Sequence, residues 1–475
     1  MPNPDIIIVG AGSAGCILAH QLSRQAAQRV LLIEPPSSSA PAADRQRPSH
    51  WLNLLGSSED WNFVTAAAPS LAGRAIPWPR GRGLGGSSRI NAMIWFPPTS
   101  ADLDNIAASI DLPAAAVTES FAAIESLVQV ERPRWTSGAT DAFLAAVNHC
   151  DNPFDGGIDA DATVYRRSNR NGRRWTPEAL LDDRVEILRA AVDCVLFQGD
   201  RAVGVRTAQG DAIRCHQRVV LCAGAIATPT ILIRSGIGPS DDLKRCNIDV
   251  RQDSPAVGAN LQDHLIMPVV FGVSDQDRFH SEPSDDHIGQ WESQGGGPIA
   301  SNLAEAGGLF DQQRIQIHVT PTHYLTYPRA DAPAAMTIGV NVTQPHSRGR
   351  IVITSSDPYA RPRIEPNYLA SGNDLQKTID AVRMARKLAE RQPLASFVTG
   401  ELVPGTRRES DESIAKSIAR YAQTLYHCAG TVSGVILPAE NLHVVDASVL
   451  HRITYGNPNA TVMTLAHCIA QRMRS

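Results

Sequence analysis

The first fifteen residues constrain this chain more than any others. Asp5-Ile6-Ile7-Ile8-Val9 is a short continuous apolar run that opens directly into Gly10-Ala11-Gly12-Ser13-Ala14-Gly15. Such a run reads as a strand buried on both faces of a parallel sheet. A helix is expected over 14–25 and a second strand over 29–34, which makes the start a strand–helix–strand unit. Gly10 permits the tight turn, Gly12 lets the backbone approach a pyrophosphate, and Gly15 lets the helix pack on the strand. The helix N-terminus then offers free N–H groups and a partial positive charge to phosphates. Glu34 ends the second strand nineteen residues after Gly15, where a carboxylate accepts hydrogen bonds from a ribose diol. A glycine triplet alone is weak evidence. With both strands and the acid in place, an ordinary strand-to-helix turn is the poorer explanation. FAD and NAD share this fingerprint, so it does not choose between them.

With 475 residues the chain has room for two or three domains. A net charge of -4 with 19% charged residues gives no basic footprint for nucleic acid. Small molecules are the expected partners. The eight cysteines are far apart and form no CxxC pair, which argues against a disulfide framework or a zinc site and suits a cytoplasmic protein with reduced thiols. Residues 6–9 lack the basic flank of a signal peptide, and no apolar run approaches membrane-spanning length.

Further along, residues 35–80 read as loops with little regular structure. The stretch 183–222 is β-rich, and a helix is expected to start near Thr228-Pro229 with the proline at its first position. Segments 315–320, 336–342 and 350–354 alternate like antiparallel strands with one face in solvent. Residues 273–300, polar and punctuated by Gly and Pro, read as a mobile loop. A long helix is expected near 373–391, and another helix after 410 leads into the tail. The expected architecture is an α/β FAD-binding (Rossmann-like) domain plus an α+β substrate domain with a mainly antiparallel sheet. The nucleotide domain is discontinuous (1–155, 156–265 and 411–475), and 266–410 forms the substrate domain.

The second glycine cluster carries more information than the first. Gly81-Arg82-Gly83-Leu84-Gly85-Gly86-Ser87-Ser88-Arg89-Ile90-Asn91, followed by Trp95 and Pro98, resembles the first signature of the glucose–methanol–choline (GMC) flavoprotein oxidoreductases. Residues 224–238 resemble their second signature, and Val257-Gly258-Ala259-Asn260-Leu261-Gln262-Asp263-His264 and Ser347-Arg348-Gly349-Arg350 are further family-like landmarks. The resemblance runs over nearly the whole chain. It implies FAD held by Gly10, Gly12, Ser13, Ala14, Gly15, Glu34, the loop carrying Leu84, Gly86, Asn91, Ala92, Met93 and Ile94, then Val192 and the Asp446-Ala447 turn. Some members tether the flavin through a histidine near this loop. The nearest position here is Ile90, which implies non-covalent FAD.

Alcohol oxidation removes a proton from oxygen and a hydride from carbon. A base titrating near working pH suits the first step, which favours histidine. In Tyr426-His427-Cys428-Ala429-Gly430-Thr431 the resemblance makes His427 that base, and it makes Asn457, before Pro458, the partner that hydrogen-bonds the substrate oxygen. On its own His427 is one of fourteen histidines and would carry no weight. Asn457-Pro458 is also a helix start, with an N-cap and proline at the first position. Both roles can hold together, because the resemblance points the N-terminus of that helix, at Pro458 and Asn459, towards the flavin pyrimidine edge.

Three departures from the family stand out. His451 replaces a usual proline, the stretch after Thr431 is short, and the whole chain is short. Trp61, Phe63, Trp95, Phe96, Tyr324 and Tyr327 are candidate pocket aromatics, although core packing is the commoner use of such residues. Trp95 and Phe96, beside the flavin loop, have the best claim. The leading expectation is oxidation of an alcohol with oxygen or another electron acceptor. The alternatives are a non-redox, hydroxynitrile-lyase-type flavoprotein and a flavin-binding protein without catalysis.

Overall fold

The structure, a computed structural model, describes residues 3–25, 28–38, 42–148, 161–329 and 331–474. The opening apolar run forms strand Ile6–Val9, the central member of a five-stranded parallel sheet. Its order is Val185–Arg189, Val30–Glu34, Ile6–Val9, Arg218–Leu221, Leu442–Val444. Alternate side chains enter separate cores. Ile6, Ile8, Val30 and Leu32 pack with helices Ser13–Leu22 and Asn459–Arg474, whereas Ile7, Val9, Leu31 and Ile33 pack with helix Gly224–Arg234. Both faces are therefore covered, which is why the strands read as unbroken apolar runs.

A second, antiparallel sheet runs Val398–Val403, Leu265–Val273, Ala335–Val342, Ile315–Thr320, Ala306–Phe310, Asp161–Val164. Gln423–Thr424 adds to the near end of Leu265–Val273. Strand pairing thus draws pieces from 161–164 and 423–424 into the second sheet, outside the expected span 266–410. Helix Gly372–Ala389, with Ile379, Val382 and Leu388, and helix Gly138–Asn148, with Phe143, cover one face. The other face carries Gln316, His318, Thr320, Thr337 and Asn341, all buried.

Several expectations are corrected. Alternation in this sheet does not mark a solvent face, because its polar side is buried against the nucleotide-binding half. Arg350–Val352 leaves the sheet and pairs with Arg363–Glu365. Inside 273–300 lies a helix, Asp285–Gln294, capped by the Ser284 hydroxyl and ended by left-handed Gly295. Within 35–80 there is a short helix, Ala42–Gln46, and a 3₁₀ turn, Pro48–Leu54. Pro229 lies inside helix Gly224–Arg234, not at its start. The Ala225 carbonyl that Pro229 cannot serve accepts the Thr431 hydroxyl at 2.7 Å, which makes an internal proline tolerable. No helix among the described residues is long and apolar enough to cross a membrane.

Candidate active site

The phosphate end is built by close backbone approach. Gly10 has φ +100°, and a Cβ there would lie 2.5 Å from the Cys222 carbonyl oxygen. On Gly15 a Cβ would reach 1.8 Å from the Gly10 oxygen, and on Gly86 2.7 Å from Gly12 Cα. The two glycine segments are thereby pressed together. Gly12 differs, because a Cβ on it would meet nothing within 4 Å. It also starts helix Ser13–Leu22 without a side-chain cap, so the first-turn N–H groups are left for a ligand.

Glu34 joins these segments. Its carboxylate accepts the Ala11 N–H at 2.8 Å and the Gly83 N–H at 2.9 Å. Burial pushes its pKa up to about 7, against the lowering pull of those two bonds. Asp446 likewise accepts from Gly224 N–H, the Thr228 hydroxyl and Ser448 N–H.

One cavity of about 770 Å³ connects this end with the chain's tail. Of the residues expected to hold the cofactor, Gly10, Gly12, Ser13, Ala14, Glu34, Gly86, Asn91, Ala92, Met93, Ile94, Val192, Asp446, Ala447, Pro458 and Asn459 all line it. Two do not. Gly15 acts through packing, and Leu84 lines a separate cleft beside Pro36 and Arg89. Ser13 donates to Asn459 Oδ1 at 2.7 Å, while Asn459 Nδ2 is buried at the cavity without a partner. A donor so placed, a cradle open over Gly12 and an acid at the cavity wall fit an extended dinucleotide.

At the other end, the pairing of Gln423–Thr424 with Leu265–Ile266 sets His427 beside His264. Buried Asp263 fixes the turn between them. It accepts His427 N–H at 2.7 Å, the Thr424 hydroxyl at 2.6 Å and the Tyr368 hydroxyl. Arg80 donates to the Tyr426 carbonyl and to Cys428 Sγ, gripping both neighbours of His427.

The hydrogen bonds decide which nitrogen of His427 is basic. His264 Nε2 lies 2.8 Å from the Thr343 carbonyl, which can only accept, so the proton of His264 sits there. Its Nδ1 is then an acceptor, and His427 Nδ1, 2.9 Å away, must donate to it. His427 Nε2 is left with its lone pair, 3.1 Å from Asn457 Nδ2. Asn457 Oδ1 accepts from Gln316 Nε2 at 3.3 Å, which orients the amide. Asn457 therefore uses its side chain on the site and not as a helix cap, and helix Asn459–Arg474 takes its first bond from the Pro458 carbonyl. Burial, then His264, His318 and Arg80, hold His427 well below the usual histidine range. It is neutral at pH 7, the form a base requires.

Asp263, His264, Gln316 and His318 were not singled out from sequence as site residues. The Asp-His pair ahead of a long apolar strand was a usable signal for the first two. Gln316 and His318 were hidden because polar alternation was assigned to solvent. His451 is exposed, with Nδ1 near the Ser109 hydroxyl, and takes no part in the site. The aromatic expectation inverts. Trp61, Phe63 and Tyr324 line the cavity. Trp95 stacks on Phe121, Phe96 packs on Tyr165 and Gly456, and Tyr327 packs on Phe279.

Family models described as GMC oxidoreductase match residues 4–266 and 345–466. The chain belongs to the GMC oxidoreductase family. An oxygen-dependent choline dehydrogenase of Pseudomonas syringae pv. tomato is 32% identical, over 99% of this chain and 93% of that protein. An uncharacterized GMC-type oxidoreductase of Mycobacterium bovis is 31% identical over 99% of both chains. Among solved structures, pyridoxine 4-oxidase from Mesorbium loti superposes with a TM-score of 0.85 at 28% identity, covering 99% of each chain. As a GMC oxidoreductase, the protein is an FAD-dependent enzyme acting on CH–OH donors.

Proposed function

We propose that this GMC oxidoreductase oxidises an alcohol to its carbonyl, with His427 as base and Asn457 assisting. The observation that carries the reading is the relay Thr343 carbonyl–His264–His427, which leaves Nε2 unprotonated and facing the cavity. FAD, when bound, supplies the hydride acceptor. The alcohol proton moves to His427 Nε2, and Asn457 Nδ2 donates to the oxygen that gains negative charge. The charge developing on His427 spreads through Nδ1–H to His264. The cofactor residues are those of the expected set that line the cavity, from Gly10 and Gly12 through Glu34, Gly86, Asn91 to Ile94 and Val192 to Asp446, Ala447, Pro458 and Asn459, with Gly15 shaping the turn and Leu84 behind the loop.

The cofactor is held without a covalent bond, since Ile90, the position nearest to the tethering histidine of some members, carries no nucleophile. Seven described cysteines are unpaired, and most are buried, which suits a reducing compartment such as the cytoplasm. Similarity to enzymes named for choline and pyridoxine supports a small alcohol as substrate.

The test is anaerobic mixing of holoenzyme with benzyl, furfuryl, aliphatic, amino and sugar alcohols. Bleaching of the flavin absorbance by one class, lost in His427→Ala with FAD retained, is the expected result. A flavin that turns an alcohol over without ever bleaching would instead support lyase chemistry. Readmitted air sorts oxygen from other electron acceptors.

A further inference from the structure

Apart from Gln316, which orients Asn457, the polar wall of the antiparallel sheet is unused by the reaction as described. His318 lines the cavity, is 4% exposed, and neither of its ring nitrogens has a hydrogen-bond partner. Its ring is held from the side by Tyr165, at 5.5 Å between centroids. On the same face, Gln316 Oε1 and both amide atoms of Asn341 are also buried without partners, and Gln316 pairs directly across from Asn341. Gln316 and Asn341 lie behind the cavity lining, whereas His318 is part of it. Buried polar groups are normally satisfied, so a ring unmatched at both nitrogens on the cavity wall points to a ligand that completes it. Gln316 touches Asn457, and His318 is two strand positions further along, about 7 Å at strand rise.

Charge narrows the ligand. The carboxylates lining the cavity are Glu34, Asp60 and Asp446, and each is bonded to backbone N–H groups away from this wall. The nearby cation, Arg80, gives its terminal nitrogens to the neutral acceptors Tyr426 carbonyl and Cys428 Sγ. Trp61, an aromatic surface a quaternary ammonium could use, already carries Arg82 at 4.9 Å. Burial holds His318 at about 3, so its ring is neutral and can donate from one nitrogen while accepting at the other.

We propose that His318 is a specificity-determining residue that hydrogen-bonds a second polar group of the substrate. The preferred substrates are then neutral alcohols with a hydroxyl or ring nitrogen a few bonds from the carbinol carbon, and quaternary ammonium alcohols are disfavoured. The proposal rests on the alcohol-oxidising reading of the site.

The test uses holoenzyme and matched probes. Anaerobic flavin bleaching compares 3-pyridinemethanol with benzyl alcohol, 3-hydroxybenzyl with 3-methylbenzyl alcohol, and choline with all four. Nicotinamide and benzamide, which present no alcohol, are titrated against the flavin spectrum for binding alone. The polar member of each pair is expected to win by roughly 10- to 100-fold, because its rival leaves buried groups unpaired. His318→Leu should erase that preference, and His318→Gln should keep part of it. The flavin spectrum shows that each variant has folded. Equal handling of each pair by the wild type, a preference surviving in His318→Leu, or a preference for choline overturns the proposal. If no alcohol bleaches the flavin yet nicotinamide outbinds benzamide through His318, the polar subsite stands and the alcohol reading falls. If the amides bind equally, the subsite fails whatever the chemistry.

Discussion

The two ends of the cavity are finished to different degrees. At the nucleotide end, Glu34 and Asp446 are bonded to the chain's own N–H groups and glycines set the contour, with Asn459 Nδ2 left without a partner. At the sheet wall, His318 presents to the cavity two ring nitrogens that the protein does not satisfy. An end that takes the same cofactor in every turnover can be made rigid from backbone. On the proposed reading, the wall that admits and releases a substrate keeps His318 uncommitted. His427 stands at the junction, built as firmly as the nucleotide end but facing the open one.

The largest expected effect tests whether that junction is chemical. His427→Ala should retain FAD and lower the rate of anaerobic flavin reduction by about 10²- to 10⁴-fold. Stopped-flow absorbance measures it, and an unchanged rate would remove His427 from the mechanism. Next comes the claim that the nucleotide end is self-supporting. Glu34→Ala strands the Ala11 and Gly83 N–H groups, at roughly 1–3 kcal/mol each. Urea unfolding of the FAD-free protein should show the loss. If only FAD affinity falls while apo stability holds, Glu34 serves the ribose alone.

Acid should expose the junction and the wall together. Unfolded histidines titrate near 6.5, whereas folded His264 and His318 are held at about 4 and about 3, and His427 is also well below 6.5. Below pH 6.5 the unfolded chain binds more protons at these sites, so stability falls with pH, by up to about 1.4 kcal/mol per unit for each histidine. Glu34, raised to about 7, acts in the opposite sense, because its folded form takes a proton that the unfolded form releases above the usual carboxylate range. Between pH 6 and 5, His318→Leu should reduce the slope by about one histidine's worth. Urea midpoints across that range decide it, and an unchanged slope in His318→Leu would contradict a neutral buried ring.

How much of this was legible in the sequence follows the same division. The nucleotide end depends on local geometry, so Gly10, Gly12, Gly15 and Glu34 announce themselves by spacing within 35 residues. The family-like motifs carried His427 and Asn457, which approach each other across 30 residues. His264 meets His427 across 163 residues through strand pairing, and no local pattern encodes that. The sheet wall was misread because alternation says that two faces differ, not that the polar one meets water. Pro229 was misplaced for a related reason, since the donor that lets it sit inside a helix lies about two hundred residues away.

That last contact supplies the smallest and most pointed test. Thr431, in the His427 segment, serves the Ala225 carbonyl of helix Gly224–Arg234, and both residues are buried. Thr431→Val keeps the shape but leaves the carbonyl unpaired, and should lower stability by about 1–2 kcal/mol. Pro229→Ala provides the backbone N–H that a helix would normally direct to that same carbonyl. If the hydroxyl substitutes for the missing N–H, Thr431→Val should lose less than half as much stability in the Pro229→Ala background. The difference between the two losses is the coupling energy, read from paired urea melts. Equal losses in both backgrounds would mean that Thr431 supports the helix by packing alone. The link between the two ends would then lie in the Asp446 bonds to Gly224 and Thr228.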